Sequence, residues 1–180
     1  LRTHGITKGN SKFSIQHSAL NGPWYYEMHD IGYNYRITDF QCALGSSQLK
    51  KLDEFVQKRC ELAKMYDKSF SNLNNLKIPK PYNSIEHAYH LYPLQINFEK
   101  LPINKPKFFD KMKQVGINLQ VHYIPVHLQP FYQNNYGFKP GDYPVAEKFY
   151  EKEVSLPIYP DLSTEDISLV VNNLLENIST

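Results

Sequence analysis

The apolar positions of this chain follow two rhythms. Ile37, Phe40, Leu44, Leu52, Phe55, Val56, Leu62, Ala63, Tyr66 and Phe70 keep the three- and four-residue steps of one buried helix face. Thr38-Asp39-Phe40-Gln41 has the form of a capping box, in which a threonine hydroxyl accepts from the backbone three residues on and the glutamine reaches back. The pattern predicts one long helix, with a bend allowed at Gly45-Ser46-Ser47, where small side chains let another backbone approach.

Beyond Asn72-Leu73-Asn74-Asn75 the elements shorten. Tyr92, Leu94, Ile96 and Phe98 alternate as in a half-buried strand, and Pro93 argues for an edge position or a bulge. Phe108, Met112 and Val115 mark a short helix that Gly116 can end in a left-handed conformation. Ile117, Leu119, Val121 and Tyr123 then point to one side of a predicted strand, with Asn118, Gln120 and His122 on the other. Asp142 is a candidate cap for a helix through Ala146, Phe149 and Tyr150. Ser163-Thr164-Glu165-Asp166 opens a last helix with Ile167, Val170, Val171, Leu174, Leu175 and Ile178 on its apolar face. Helices on one side of a small mixed sheet make an α+β unit.

Composition narrows the function classes. A chain of 180 residues with 41% hydrophobic content can bury a core as one domain or one plus a fragment. A formal charge of +2, with lysines interleaved among Asp and Glu, sets nucleic-acid binding aside. No apolar run approaches the roughly 18 to 20 residues of a membrane span, and no signal peptide is visible, so a soluble cytoplasmic protein is expected. Cys42 and Cys60 fall 18 positions apart on the predicted helix, about 27 Å along its axis, far beyond the about 7 Å a disulfide allows. Two buried thiols in a reducing compartment are expected. Asn177-Ile178-Ser179 has the form of a glycosylation sequon but sits in a terminal amphipathic helix.

Candidate chemistry gathers at two places. Asn34 and Arg36 lie just before the marked helix start. Carboxamide N–H groups can hold a phosphate without adding a titrating group, although an asparagine after Gly32 can also simply turn the loop. The Arg36 fork suits a diphosphate, and equally Asp39 or a carboxylate of a partner chain. His122, Tyr123 and His127 form the second group. No cysteine or carboxylate cluster accompanies these histidines, so metal binding is set aside, and a structural role is the ordinary one for a single histidine. His87 and His90 belong to no motif and are assigned core or surface roles. The 14 tyrosines and Trp24 offer stacking surfaces, most of them for packing.

Four runs in this order, Arg2-Thr3-His4-Gly5-Ile6, Gly32-Tyr33-Asn34-Tyr35-Arg36-Ile37-Thr38-Asp39, Val121-His122-Tyr123-Ile124-Pro125-Val126-His127-Leu128-Gln129-Pro130 and Ser155-Leu156-Pro157-Ile158-Tyr159-Pro160, resemble the DegT/DnrJ/EryC1/StrS family. These sugar aminotransferases use pyridoxal phosphate on the aspartate-aminotransferase fold. The resemblance implies an α/β chain of the fold type I class, with residues 1–36 ending the large cofactor-binding domain, 37–72 forming a long interdomain helix and 73–180 a small C-terminal α+β domain. It implies that Asn34 reaches the phosphate of pyridoxal phosphate bound by the partner of a homodimer with shared sites. It also implies that Arg36, His122, Tyr123 and His127 border a nucleotide-sugar pocket.

The family's cofactor-bearing lysine matches a position upstream of Leu1, so this chain is expected to be a C-terminal portion without catalytic residues, inactive alone. The expected reaction moves an amino group, with glutamate as donor, to C4 of a UDP-linked 4-keto-6-deoxy-N-acetylhexosamine. The run Gly22-Pro23-Trp24-Tyr25-Tyr26-Glu27-Met28 and the Gln120-Val121-His122-Tyr123 loop look most like family members of pseudaminic acid biosynthesis. Two alternatives share the frame: a same-fold sugar dehydratase using pyridoxamine phosphate, in which histidine usually replaces the lysine, and a non-catalytic dimerisation module.

Overall fold

The computed structural model describes residues 3–7, 26–81 and 86–178. The chain divides into two compact units, Leu1–Lys51 and Leu52–Thr180. Arg2 and Trp24 lie outside the described residues.

In the first unit β1 (Ile6–Thr7) pairs antiparallel with β2 (Glu27–Met28), followed by helix α1 (Asp39–Leu49). Gly5 has φ +67°, and a Cβ there would stand 1.9 Å from the Asp30 carbonyl oxygen. Only glycine permits that approach. It lets His29 N–H donate to the Gly5 carbonyl at 3.1 Å and His4 N–H to that of Tyr33 at 2.9 Å. A bridge between Thr3 and Asn34 completes the zipper. The capping box at Thr38 forms as its sequence predicts, Gln41 N–H donating to Thr38 Oγ1 at 3.3 Å and Thr38 N–H to Gln41 Oε1 at 3.0 Å.

The long helix is in two pieces. α1 closes at Leu49, Lys51 N–H donates back to Gln48 O at 3.0 Å, and α2 runs Leu52–Phe70. Gly45-Ser46-Ser47 lies inside α1 without a break. Asp53 and Glu54 supply the acidic first turn that suits a new helix start. Cys42 and Cys60 therefore sit on different helices, and they are exposed and half-buried rather than two buried thiols.

The second unit packs helices against an antiparallel sheet of order β3 (Leu76–Lys77), β4 (Tyr92–Ile96), β5 (Glu153–Leu156). The sheet is antiparallel throughout, not mixed. α2 buries Leu62, Ala63, Tyr66 and Phe70, and α6 (Thr164–Ile178) buries Ile167, Val170, Val171, Leu174 and Ile178, in the predicted periodicity. Tyr92, Leu94 and Ile96 face this layer. Tyr66 and Tyr92 meet at 4.9 Å between ring centroids, and their hydroxyls donate to the Pro157 carbonyl at 2.9 Å and to Asp67 Oδ1 at 2.7 Å. Burial pushes both phenol pKa values up.

Pro93 is in the central strand, opposite Ser155, rather than at an edge or bulge. Both backbone groups of Ser155 bond to Gln120, at 3.4 and 2.8 Å, so Pro93 and Ser155 face each other as a non-hydrogen-bonded pair. The Pro93 nitrogen thus points to the β3 side, where β3 reaches only Gln95 and Ile96. The missing N–H leaves no ladder bond broken.

Helix α3 (Lys105–Gln114) starts at Asn104, whose side chain accepts from Lys107 N–H. It ends at Gly116, φ +81°, with Gly116 N–H to Lys113 O and Ile117 N–H to Met112 O, a Schellman closure. Phe108 and Met112 are buried as predicted; Val115 stays exposed. The strand predicted beyond Gly116 is reduced to one bridge, Gln120 with Ser155. Ile117 and Leu119 are buried between exposed Asn118 and Gln120, but the alternation stops at His122, whose N–H turns to the Glu153 carboxylate. Short α4 (Pro130–Tyr136) and α5 (Pro144–Lys152) follow. Asp142 does not cap α5: it accepts from Lys139 N–H in the preceding turn.

Candidate functional site

In the first unit the segment before α1 is extended. Tyr33 and Tyr35 stack at 5.1 Å and 8° between ring planes, which fixes the parity of the segment. Asn34 and Arg36 fall on the opposite side, both exposed. Neither side chain bonds to a described residue. Asp30 Oδ1, not Asn34, turns the loop by accepting Ile31 N–H at 2.7 Å, and Arg36 makes no ion pair with Asp39. Carboxamide and guanidinium donors that no described residue engages have the chemistry to hold a phosphate group such as that of pyridoxal phosphate.

In the second unit β5 organises the other group. Glu153 and Ser155 project from one side of β5 and are buried. Glu153 Oε2 accepts the His122 backbone N–H at 2.9 Å, Ser155 Oγ donates to Glu153 Oε1, and Ser155 Oγ lies 2.8 Å from His122 Nδ1. Lys105, half-buried, donates to the Tyr150 carbonyl at 2.6 Å, its ammonium 4.9 Å from the Tyr150 ring centre. Burial holds that ammonium below the ordinary lysine range, opposed by the negative charges of Glu153 and Glu151. The Glu153–Ser155 pair was missed from sequence; a glutamate among Val154, Ser155 and Leu156 in an apolar run was the available signal.

The His122 and Tyr123 rings meet edge-on at 4.7 Å across a cis peptide bond. Tyr123 is 71% exposed. With Pro125, Tyr143, Val145 and Phe149 it lines an open, apolar hollow of about 650 Å³. His127 lines a neighbouring hollow with Pro125, Tyr132 and Phe138. It is buried, its Nε2 is 2.8 Å from Glu147 Oε1, and its ring packs on Tyr143 at 4.7 Å. Glu147 also accepts Gly141 N–H at 2.9 Å and Tyr143 N–H at 3.3 Å. The His127 hydrogen bond, and then that of Gly141, hold the Glu147 carboxyl below the usual carboxylate range. His127 is thus a clamp between the 121–128 loop and the start of α5. His87 accepts Tyr89 N–H through Nδ1 at 3.1 Å, and the carbonyl of His90 accepts from Arg59, both local structural roles.

Residues 1–175 match the model of the DegT/DnrJ/EryC1/StrS aminotransferase family. The chain belongs to this family. Among curated relatives, an uncharacterized protein of Methanocaldococcus jannaschii is 44% identical over 179 residues, 99% of this chain and 45% of its own length. The spore coat polysaccharide biosynthesis protein SpsC of Bacillus subtilis is 37% identical, over 91% of this chain and 42% of its own. The UDP-4-amino-4,6-dideoxy-N-acetyl-beta-L-altrosamine transaminase of Campylobacter jejuni is 34% identical, over 97% and 42%. The chain spans less than half the length of these relatives.

Among solved structures, Helicobacter pylori PseC, an aminotransferase involved in pseudaminic acid biosynthesis, superposes with a TM-score of 0.83 at 30% identity, over 99% of this chain and 44% of that one. Streptococcus pneumoniae Spr1654, solved in a PLP form, gives 0.80 at 26%, over 97% and 40%. The fold is that of the type I pyridoxal phosphate transferases, and aminotransferases of this DegT/DnrJ/EryC1/StrS family depend on that cofactor. No helix among the described residues is long and apolar enough to cross a membrane.

Proposed function

We propose that this chain is the C-terminal part of a cytoplasmic, homodimeric nucleotide-sugar aminotransferase. Residues 1–36 end its cofactor-binding domain, 37–72 connect the domains, and 73–180 form the small domain. The observation that carries this is the uncommitted Asn34–Arg36 pair on one side of an extended segment. Asn34 donates its carboxamide N–H to the phosphate of pyridoxal phosphate held by the partner protomer, and Arg36 takes a phosphate or carboxylate of the substrate. Bound there, the cofactor supplies an electron sink for the carbon that gains or loses the amino group. The lysine that carries it lies outside these residues, so the chain alone is inactive. His122 and Tyr123 hydrogen-bond the nucleotide sugar, while His127 fixes their loop through Glu147.

The substrate in this reading is a UDP-linked 4-keto-6-deoxy-N-acetylhexosamine of pseudaminic acid biosynthesis, aminated at C4 by glutamate. The Campylobacter and Helicobacter relatives support it. The test is to supply that keto sugar and glutamate to the protein that contains these residues together with its cofactor-bearing lysine. Formation of the 4-amino sugar with equimolar 2-oxoglutarate, read by mass spectrometry, is expected. Loss of water from the sugar with no amine incorporated would replace this reading by the dehydratase one.

A further inference from the structure

We propose that Glu153 and Ser155 hold the neutral His122 ring in its Nδ1–H form and so present Nε2 as a bare acceptor for an O–H or N–H donor of the bound ligand. The ligand part rests on the reading above, in which sugar hydroxyls supply such donors to the His122 loop.

The direction of each hydrogen bond follows from chemistry. A backbone N–H can only donate, so Glu153 Oε2 is the acceptor toward His122. A carboxylate accepts on its other oxygen too, and the single hydroxyl hydrogen of Ser155 goes to Oε1. Ser155 Oγ then has only lone pairs left for His122 Nδ1, 2.8 Å away, and Nδ1 must carry the hydrogen. A proton on Glu153 Oε1 would reverse the last two bonds and leave the hydrogen on Nε2. His122 Nε2 bonds to no described residue. The one partnerless buried side-chain polar atom among the described residues is Asn97 Oδ1, so Nε2 reaches solvent. A fully buried glutamate is costly unless its oxygens are bonded, and here one oxygen takes the His122 backbone N–H while the other takes the Ser155 hydroxyl that faces the imidazole.

Glu153 and Ser155 are positioning residues, and the readout is the tautomer. In the full chain labelled with 15N, at a pH where His122 is neutral, long-range proton-nitrogen spectra should show a pyrrole-type Nδ1 and a pyridine-type Nε2. The opposite assignment overturns the proposal. In Glu153→Gln the one amide oxygen takes His122 N–H, the NH2 donates to Ser155, Ser155 donates to Nδ1, and the two resonance types should exchange. Ser155→Ala should average them, and Ser155→Thr should restore the wild-type pattern. Identical His122 spectra in wild type, Glu153→Gln and Ser155→Ala also overturn the proposal. None of these spectra needs cofactor or substrate, so their failure removes the positioning role alone, and failure of amine transfer removes the functional reading alone.

Discussion

A single-residue alternation before α1 separates packing from chemistry. Tyr33 and Tyr35 spend their rings on each other, leaving Asn34 and Arg36 with donors that nothing described consumes. Asn34→Ala in the protein that binds cofactor should weaken pyridoxal phosphate by about 1.5 to 3 kcal/mol, the range of one hydrogen bond to a charged group. Titration of the cofactor absorbance measures it, and an unchanged dissociation constant removes Asn34 from the site. Glu147 gives a pH prediction. Its carboxyl is lowered on folding, so its contribution is complete above the ordinary glutamate range and is lost as pH falls through the lowered value. Glu147→Gln should destabilise at neutral pH and flatten the acid limb of the stability curve, read as urea midpoints from pH 7 downward. Some acid sensitivity should survive, because Asp166, lowered by Ser163, and Glu165, lowered mainly by its own backbone N–H, follow the same sign. An unaltered acid limb would show that the Glu147–His127 clamp does not tighten on folding.

At the scale of elements, local signals were legible and tertiary ones were not. The starts of α1 and α6 and the end of α3 are written in contiguous residues: Thr38 with Gln41, Ser163 with Asp166, Gly116 beside Val115. The strand misread over 117–123 had the right alternation through Gln120, but its continuation depends on Glu153, 31 positions from His122, capturing a backbone N–H. The division between α1 and α2 was hidden because apolar spacing carries across Lys50-Lys51, although α1 buries none of its residues within this chain. Gly116 offers the cleanest element-level test. A Cβ there meets nothing within 4 Å, so Gly116→Ala isolates the backbone strain of φ +81°. A loss of about 1 to 2 kcal/mol by urea denaturation is expected. No loss would mean that α3 can close without the left-handed residue.

Across the whole molecule, the two units differ in what they complete by themselves. Leu52–Thr180 holds a continuous core in which Tyr66, Phe70, Tyr92, Leu94, Ile96, Phe108, Met112 and Leu174 are essentially sealed from water. Leu1–Lys51 leaves Ile31 85%, Phe40 80% and Tyr35 68% exposed. Asn34, Arg36, His122 and Tyr123 stand in recognisable runs of the sequence, whereas the His127–Glu147 contact was not legible there, because its partners lie 20 positions apart. Stability should follow the same division. Lys50 and Lys51 are exposed between α1 and α2, whereas Lys80 is followed by Pro81, a bond trypsin does not cut readily. Limited trypsin treatment of the 180-residue chain should therefore remove the first unit and leave a fragment starting at Leu52. That fragment should unfold cooperatively in urea, since the apolar burial that drives folding lies within it. Cleavage inside α2 or α3 before the Lys50-Lys51 turn, or a fragment without a cooperative transition, would show that the core depends on residues before Leu52.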